Sequence, residues 1–247
     1  MQPAKAPQTA VDVAAITLAF WTAALQAWVL GQRIFAGGSF DLGLANVLAL
    51  LGWEIAVIAL IATGTSRYRG LAAILLLLAA ALSTAGFGYG PAAAVNELGI
   101  PLKIHAMTSL VAYSLIAVGA VLATAALAQD RRLRRAATGG WIRLLPSLLE
   151  MERLVFGLAT IGFVGLLISI LTGLVFVENL FAQHLIHKTV LSLAALVLFG
   201  ALIVARLALG WRGRSALYLY LGGFATLLLA YFGSKFVLEV LLGRSWS

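Results

Sequence analysis

The sequence predicts an all-α, polytopic transmembrane helical bundle with about seven spans, and three observations support that fold class. Of the 247 residues, 62% are hydrophobic, and the mean hydropathy is +1.03. Only 11% are charged, against about 25% in soluble domains. Segments of about 20 apolar residues, long enough to cross a hydrocarbon layer roughly 30 Å thick, recur along the whole chain.

The apolar segments follow one another at close spacing, so we expect one membrane domain over residues 1–247. The opening MQPAKAPQTA leads into a full-length span and lacks the short apolar core and cleavage site of a secretory signal, which predicts that the first span is retained. The predicted spans lie near residues 10–31, 43–63, 70–88, 103–128, 154–177, 189–209 and 216–241.

Arginines determine the expected orientation. Three arginine-bearing segments follow the second, fourth and sixth predicted spans, so these segments fall on one side, which the positive-inside rule makes cytoplasmic. The N-terminus is then cytoplasmic and the C-terminus external. The net charge of +8 therefore indicates topology and contact with anionic headgroups, and we expect no nucleic-acid partner. The arginines of these three segments are Arg67, Arg69, Arg131, Arg132, Arg134, Arg135, Arg143, Arg153, Arg206, Arg212 and Arg214.

Residues 129–153 form the longest polar segment and are predicted to be a cytoplasmic connector between a four-span and a three-span portion. Pro146 followed by SLLEMERL is typical of a helix start that runs into the fifth span. The glycines in the later spans are expected to let helices pack closely. They are Gly157, Gly162, Gly165, Gly222 and Gly223.

The chain has three histidines, and under this topology His105, His184 and His187 all fall at the external surface. Imidazole ligates transition metals and haem iron, and two histidines on opposite sides of a porphyrin complete its coordination. His105, His184 and His187 are therefore candidate axial ligands of haem iron. Two other interpretations stay open: interfacial polar residues without a ligand, and a zinc site, which the apolar surroundings favour less than a porphyrin.

Charged residues near the spans add further candidates. Lys235, Arg33 and Lys103 are placed to meet haem propionates at the external face, although Lys235 also pairs along its helix with Glu239 or extends to the headgroups. Glu54, near the middle of the second span, must be protonated, paired or facing a polar cavity. The absence of cysteine excludes thiolate metal sites and thiol chemistry for this chain acting alone.

Four stretches resemble the cytochrome c assembly (CcsA/CcmC-like) superfamily, and within it the YpjD/HemX-like branch. They are LPSLLEMERLVFGLATIGFVGLLISILTG, FAQHLIHKTVLS, GWRGRSA and LAYFGSKFV. The span KIHAMTSLVAYSLIAVGAVLA resembles the histidine-led span of the family, with Ser109 and Tyr113 matching its Ser and Tyr. The resemblance implies a helical bundle of the bacterial inner membrane that handles haem at the outer face and, in some branches, delivers it to apocytochromes.

The chain departs from the haem-delivering branches in its external segments. FVENLFAQHLIHK has no tryptophan or aspartate where those branches carry a tryptophan-rich motif, Ala205 replaces a histidine within a span, and FVLEVLLGRSWS lacks the second external histidine. Only His105 matches an external ligand position of the family, so His184 and His187 are branch-specific candidates. The branch commonly has eight spans, and this sequence is expected to begin at the second.

The sequence thus predicts a non-enzymatic, multi-pass inner-membrane protein that binds or passes haem (haem b) at its external face, with His105 as the leading ligand. Expected partners are haem, the lipid bilayer, and cytochrome c assembly proteins or other membrane proteins. An alternative is a cofactor-free regulatory or scaffold subunit that docks a partner through residues 129–153. A third is a transporter with Glu54 in its pathway.

Overall fold

A computed structural model describes residues 10–35, 41–88, 99–136, 139–176 and 186–233, and all regular structure in these ranges is helical. Two short 3-10 helices and a π-helical turn accompany the α-helices: Ser66–Tyr68, Gly140–Leu144 and Leu229–Gly233. The α-helices are α1 (Ala10–Ile34), α2 (Leu44–Thr63), α3 (Arg69–Gly88), α4 (Ile100–Arg134), α5 (Leu148–Phe176), α6 (Ile186–Leu209) and α7 (Arg214–Leu228).

Six of these helices, α1 to α6, are long and apolar enough to cross a membrane, which confirms the all-helical membrane class. The seventh predicted span begins as expected in α7 and continues through the turn Leu229–Gly233. The remainder of that predicted span lies outside the described residues.

Two helices extend beyond the predicted spans and shorten the connector. α4 continues to Arg134 because Asp130 accepts a salt bridge from Arg134 one turn later, at 3.0 Å, which supports a helix that has left the apolar layer. α5 starts at Leu148, directly after Pro146, as that proline predicts. Only residues 135–147 separate the two helices.

Close contact of backbones joins α2 to α3. A Cβ added to Gly86 would lie 2.5 Å from the Ala45 carbonyl oxygen and 2.7 Å from the Ala49 nitrogen. On the other helix, a Cβ at Gly52 would lie 2.8 Å from the Ala79 carbonyl oxygen. Backbone atoms move less readily than side chains, so glycine at both positions sets the spacing of this helix pair.

Helix α4 is the central element of the bundle and packs against α2, α5 and α7. Tyr220 of α7 is fully buried and donates a hydrogen bond from its hydroxyl to the Ile116 carbonyl of α4, at 2.9 Å. Gly119 makes room for that phenol, because a Cβ there would collide with it.

The glycines of the later spans divide into two groups. Gly162, Gly165 and Gly223 lie against neighbouring side chains, as predicted for packing. Gly157 and Gly222 face open space within the described part of the chain, so the packing prediction is wrong for these two. Their positions on the outer faces of α5 and α7 were not distinguishable from sequence, since both faces of a membrane helix are apolar.

The arginine-rich segments meet at one end of the bundle, called here the arginine end. Arg67, after α2, forms a 2.8 Å salt bridge with Glu150 at the start of α5, and the Tyr68 hydroxyl donates to the same carboxylate. Gln129 of α4 donates to the Pro146 carbonyl at 3.1 Å. The connector is therefore folded back onto its own bundle. Its assignment to the cytoplasm stays a prediction.

Candidate functional site

His105 lies in the second turn of α4, at the opposite end of the bundle from the arginines, called here the histidine end. Its imidazole is half-buried against α5, where Nδ1 lies 3.0 Å from Thr172 Oγ1. Gly173 leaves the space for the ring, since a Cβ there would lie 3.1 Å from His105 Cε1. The small residue following Thr172 thus allows α5 to hold the imidazole closely.

Hydroxyl groups of α5 surround the imidazole of His105. Thr172 Oγ1 lies 2.9 Å from the backbone carbonyl oxygens of both Ile168 and Ser169, which can take its single hydrogen. In that arrangement Thr172 accepts from His105 Nδ1, and the lone pair of the neutral ring is on Nε2.

A second pair of hydroxyls supports the backbone beneath the imidazole. Ser109 Oγ lies 2.6 Å from the His105 carbonyl oxygen and 2.6 Å from Ser169 Oγ, and both serines are buried. Ser109 therefore links the turn of α4 that carries His105 to α5. The family resemblance indicated Ser109, whereas Thr172, Ser169 and Gly173 were missed.

Lys188, in the first turn of α6, is the cation that acts electrostatically on His105. Its Nζ lies 4.9 Å from the centroid of the Tyr231 ring, a cation–π distance. Tyr231 in turn meets Tyr113 edge to face, with centroids 5.6 Å apart, and the Tyr113 hydroxyl pairs with Ser192. Sequence analysis missed Lys188, although it directly follows His187.

Two of the predicted propionate partners lie at the histidine end. Arg33 is half-buried in the last turn of α1, and Lys103 is two residues before His105. The neighbouring apolar residues Ile34 and Ala106 belong to one packed cluster, so the ends of α1 and α4 are adjacent.

The other candidates are only partly described. His184 and Lys235 lie outside the described residues, as does Glu239. His187 is in the first turn of α6, but its side chain is outside the described part. Within the described ranges, no group of three or more His, Asp or Glu side chains is arranged to hold a metal ion. The pairing of His105 with either histidine stays a prediction.

Glu54 forms a separate polar site between α2 and α4. Its carboxyl pairs with the Ser114 hydroxyl, which itself lies 2.9 Å from the Val111 carbonyl oxygen. The other carboxyl oxygen, Oε2, is buried and has no hydrogen-bond partner among the described residues. Because an ionised carboxylate is costly at this depth in the membrane, we expect Glu54 to be a neutral carboxyl group, which can donate to Ser114.

We expect Glu54→Gln to preserve the fold, because the glutamine amide also donates to Ser114 and carries no charge. The melting temperature of the purified variant in detergent should stay within about 3 °C of the wild type. Glu54→Lys is the contrasting variant: it places a cation in the apolar layer and should lower the melting temperature clearly. A Gln variant that melts as low as the Lys variant would contradict the neutral carboxyl.

Together, these helices define a polytopic membrane protein, and among the described side chains one imidazole, that of His105, is held at the histidine end. The family model described as cytochrome c assembly protein matches residues 13–242, and the chain belongs to this family. This confirms the resemblance of the sequence.

Individual relatives agree with that assignment. The chain is 29% identical over 235 residues to the inner membrane protein YpjD of Escherichia coli, covering 94% of this chain and 87% of that protein. It is 36% identical over 147 residues to an uncharacterized 28.8 kDa protein in the nifR3-like 5' region of Azospirillum brasilense, covering 59% of this chain and 54% of that protein. No solved structure matches the chain. The relatives and the spanning helices bear out a multi-pass inner-membrane location.

Proposed function

We propose that this protein binds haem b at the histidine end of the bundle, with His105 Nε2 as one axial ligand. The observation that carries the proposal is the 3.0 Å contact between His105 Nδ1 and Thr172 Oγ1, because an Nδ1 that donates to this oxygen leaves the Nε2 lone pair for a metal. Metal-binding histidines commonly donate their other ring nitrogen to an oxygen in this way. Haem supplies an iron with two axial positions, which an imidazole fills well.

The surroundings of His105 suit the rest of a porphyrin. Apolar helix surface suits the ring, whereas Lys188, Arg33 and Lys103 supply cations at the same end for the two propionates. We propose His184 or His187 as the second axial ligand. A ligand held by two imidazoles and surface cations is bound without any covalent change, so the proposed role is reversible haem handling and not catalysis.

The proposed location of the haem is the external face of the inner membrane. The arginine end carries most of the positive charge and is the cytoplasmic candidate, so the histidine end faces outward. Membership of the cytochrome c assembly family supports a role in cytochrome biogenesis, with a haem-receiving protein as the partner.

The test is the absorption spectrum of the purified protein, oxidised and dithionite-reduced, before and after titration with haemin. A Soret band with sharp α and β bands on reduction indicates a low-spin haem with nitrogen ligands and supports the proposal. A protein that stays colourless after haemin is added overturns it. Titration of the Glu54→Gln variant is the matched control, since its change lies in the membrane interior, away from His105.

The alternative of a cofactor-free scaffold that docks a partner through residues 129–153 has one supporting observation. Leu144 is 66% exposed and Leu133 44% exposed at the arginine end. The polar groups of the connector, in contrast, are engaged by its own bundle through Glu150 and Gln129. A colourless protein in the haemin titration would favour this second function.

A further inference from the structure

An apolar groove of about 530 Å³ runs between α3 and α7, with α4 as its floor, and is called here the α3–α7 groove. Its walls are Ile74, Leu78 and Leu82 of α3 on one side and Leu221, Phe224 and Leu228 of α7 on the other; Tyr113 to Ala128 of α4 lie between them. In the described part of the chain, α3 and α7 do not pack against each other as a helix pair. The groove therefore lies between two walls that do not close upon each other.

The length and lining of the groove suit a hydrocarbon chain. From Tyr113 to Ala128, α4 rises about 22 Å, more than the roughly 15 Å that half of a hydrocarbon layer provides. Two hydroxyl groups of the lining are engaged within the protein: Thr124 donates to the Ala120 carbonyl at 2.8 Å, and Tyr113 pairs with Ser192. The third belongs to Tyr231, whose ring lies under Lys188. No histidine lines the groove, so its lining offers no imidazole ligand for a metal.

The groove continues directly into arginines. On α4, Thr124 and Ala128 are followed on the same helix face by Arg131, at i, i+4 and i+7. On α7, Leu221 is preceded on its face by Tyr218 and Arg214. The two faces thus converge at the arginine end.

Contacts between side chains hold this rim together. Arg131 Nη2 donates to the Tyr218 hydroxyl at 2.9 Å, and Arg214 meets the same hydroxyl. Arg214 also lies 3.5 Å from Asp130, which is paired with Arg134 at 3.0 Å. Both Arg131 and Arg214 are exposed, so their remaining guanidinium donors are available to a phosphate.

We propose that the α3–α7 groove binds an anionic glycerophospholipid, with an acyl chain between α3 and α7 and the phosphate at Arg131, Arg214 and Tyr218. Charge complementarity selects this occupant, because an apolar slot that ends in a pair of arginines matches a hydrocarbon chain that ends in a phosphate. Basic pockets between membrane helices bind anionic headgroups in the same manner. The proposed phosphate site lies at the opposite end of the bundle from His105, whereas the other end of the groove reaches Tyr113 and Tyr231, beside Lys188. Binding of the phosphate does not depend on haem.

The test is native mass spectrometry of the detergent-purified protein with added phosphatidylglycerol or phosphatidylcholine of identical acyl chains. We expect phosphatidylglycerol to bind at least about tenfold more tightly. The double variant Arg131→Gln, Arg214→Gln should weaken phosphatidylglycerol binding about 30-fold. Each arginine near a membrane surface strengthens the attraction of an anionic headgroup about five- to sixfold, and the two factors multiply. The matched control, Arg143→Gln with Arg153→Gln, removes the same charge from the connector and from α5, which does not line the groove, and should bind like the wild type.

A third variant tests the chain-binding part of the site. Thr124→Trp fills the floor of the groove and should abolish tight binding of both lipids, while the haemin titration stays unchanged. Equal binding of the two lipids, or equal weakening by the control pair, would overturn the proposal. A Thr124→Trp variant that still binds lipid but no longer binds haem would also overturn the proposal. Because haem and phospholipid differ in mass, failure of this proposal and failure of the haem proposal are read separately.

Discussion

Replacement of His105 by alanine is expected to raise the dissociation constant for haem at least about 100-fold, because it removes the axial ligand itself. Changes to groups that only orient a metal-binding histidine already cost about 10- to 100-fold. The measurement is a haemin titration followed at the Soret band, with the reduced spectrum recorded at saturation. Unchanged affinity and unchanged α and β bands in His105→Ala would show that His105 is not the ligand.

Thr172→Val is expected to weaken haem binding about 10- to 100-fold while the protein remains folded. Valine has the shape of threonine but gives His105 Nδ1 no acceptor, so the ring is no longer held with its lone pair on Nε2. Thr108→Val is the control. Thr108 lies within one turn of His105 on α4, but its hydroxyl donates to the Ile104 carbonyl of its own helix, 2.9 Å away. Equal loss of haem affinity in both variants would mean that any threonine-to-valine change in these helices weakens binding, and not the loss of the acceptor for His105.

Gly86→Ala is expected to destabilise the protein by about 1–3 kcal/mol, the usual cost of overpacking. Its new methyl group would lie 2.5 Å from the Ala45 carbonyl oxygen and 2.7 Å from the Ala49 nitrogen. Both are backbone atoms of α2, so relief requires the whole helix to move. At about 2–4 °C per kcal/mol for a chain of this size, the melting temperature in detergent should fall by about 2–12 °C.

Gly157→Ala provides the matched comparison for this stability prediction. It introduces the same methyl group in the middle of α5, where the structure leaves open space. Because alanine favours helix over glycine by about 1 kcal/mol, this variant should melt at or slightly above the wild type. If Gly86→Ala behaves like Gly157→Ala, the α2–α3 contact is looser than described.

The ends of the helices could be predicted from the sequence better than which face of each helix is buried. The positions of α2, α3 and α6 agree with the predicted spans to within about three residues, and Pro146 correctly indicated the start of α5. In contrast, Gly157 and Gly165 were indistinguishable in sequence, yet one faces open space and the other lies against Ala112. A membrane helix is apolar on both its buried and its lipid-facing side, so periodicity does not separate them.

The candidate site shows the same division. Sequence placed His105 and the arginines at opposite ends, because the number of spans between them determines the side. Thr172 and Gly173, which contact His105 from α5, and Lys188, which acts on it electrostatically from α6, could not be predicted, because the rotation of each helix about its axis decides which residues face the imidazole.

By itself, the sequence determined that this chain is a multi-pass helical membrane protein of the cytochrome c assembly family, since hydrophobic length and charge position are properties of individual segments. Only the tertiary structure decided that His105 Nδ1 lies against Thr172 and that a groove between α3 and α7 ends in arginines. Both features depend on contacts between helices distant in sequence. Those contacts are set by side-chain packing across the bundle, which no single segment encodes.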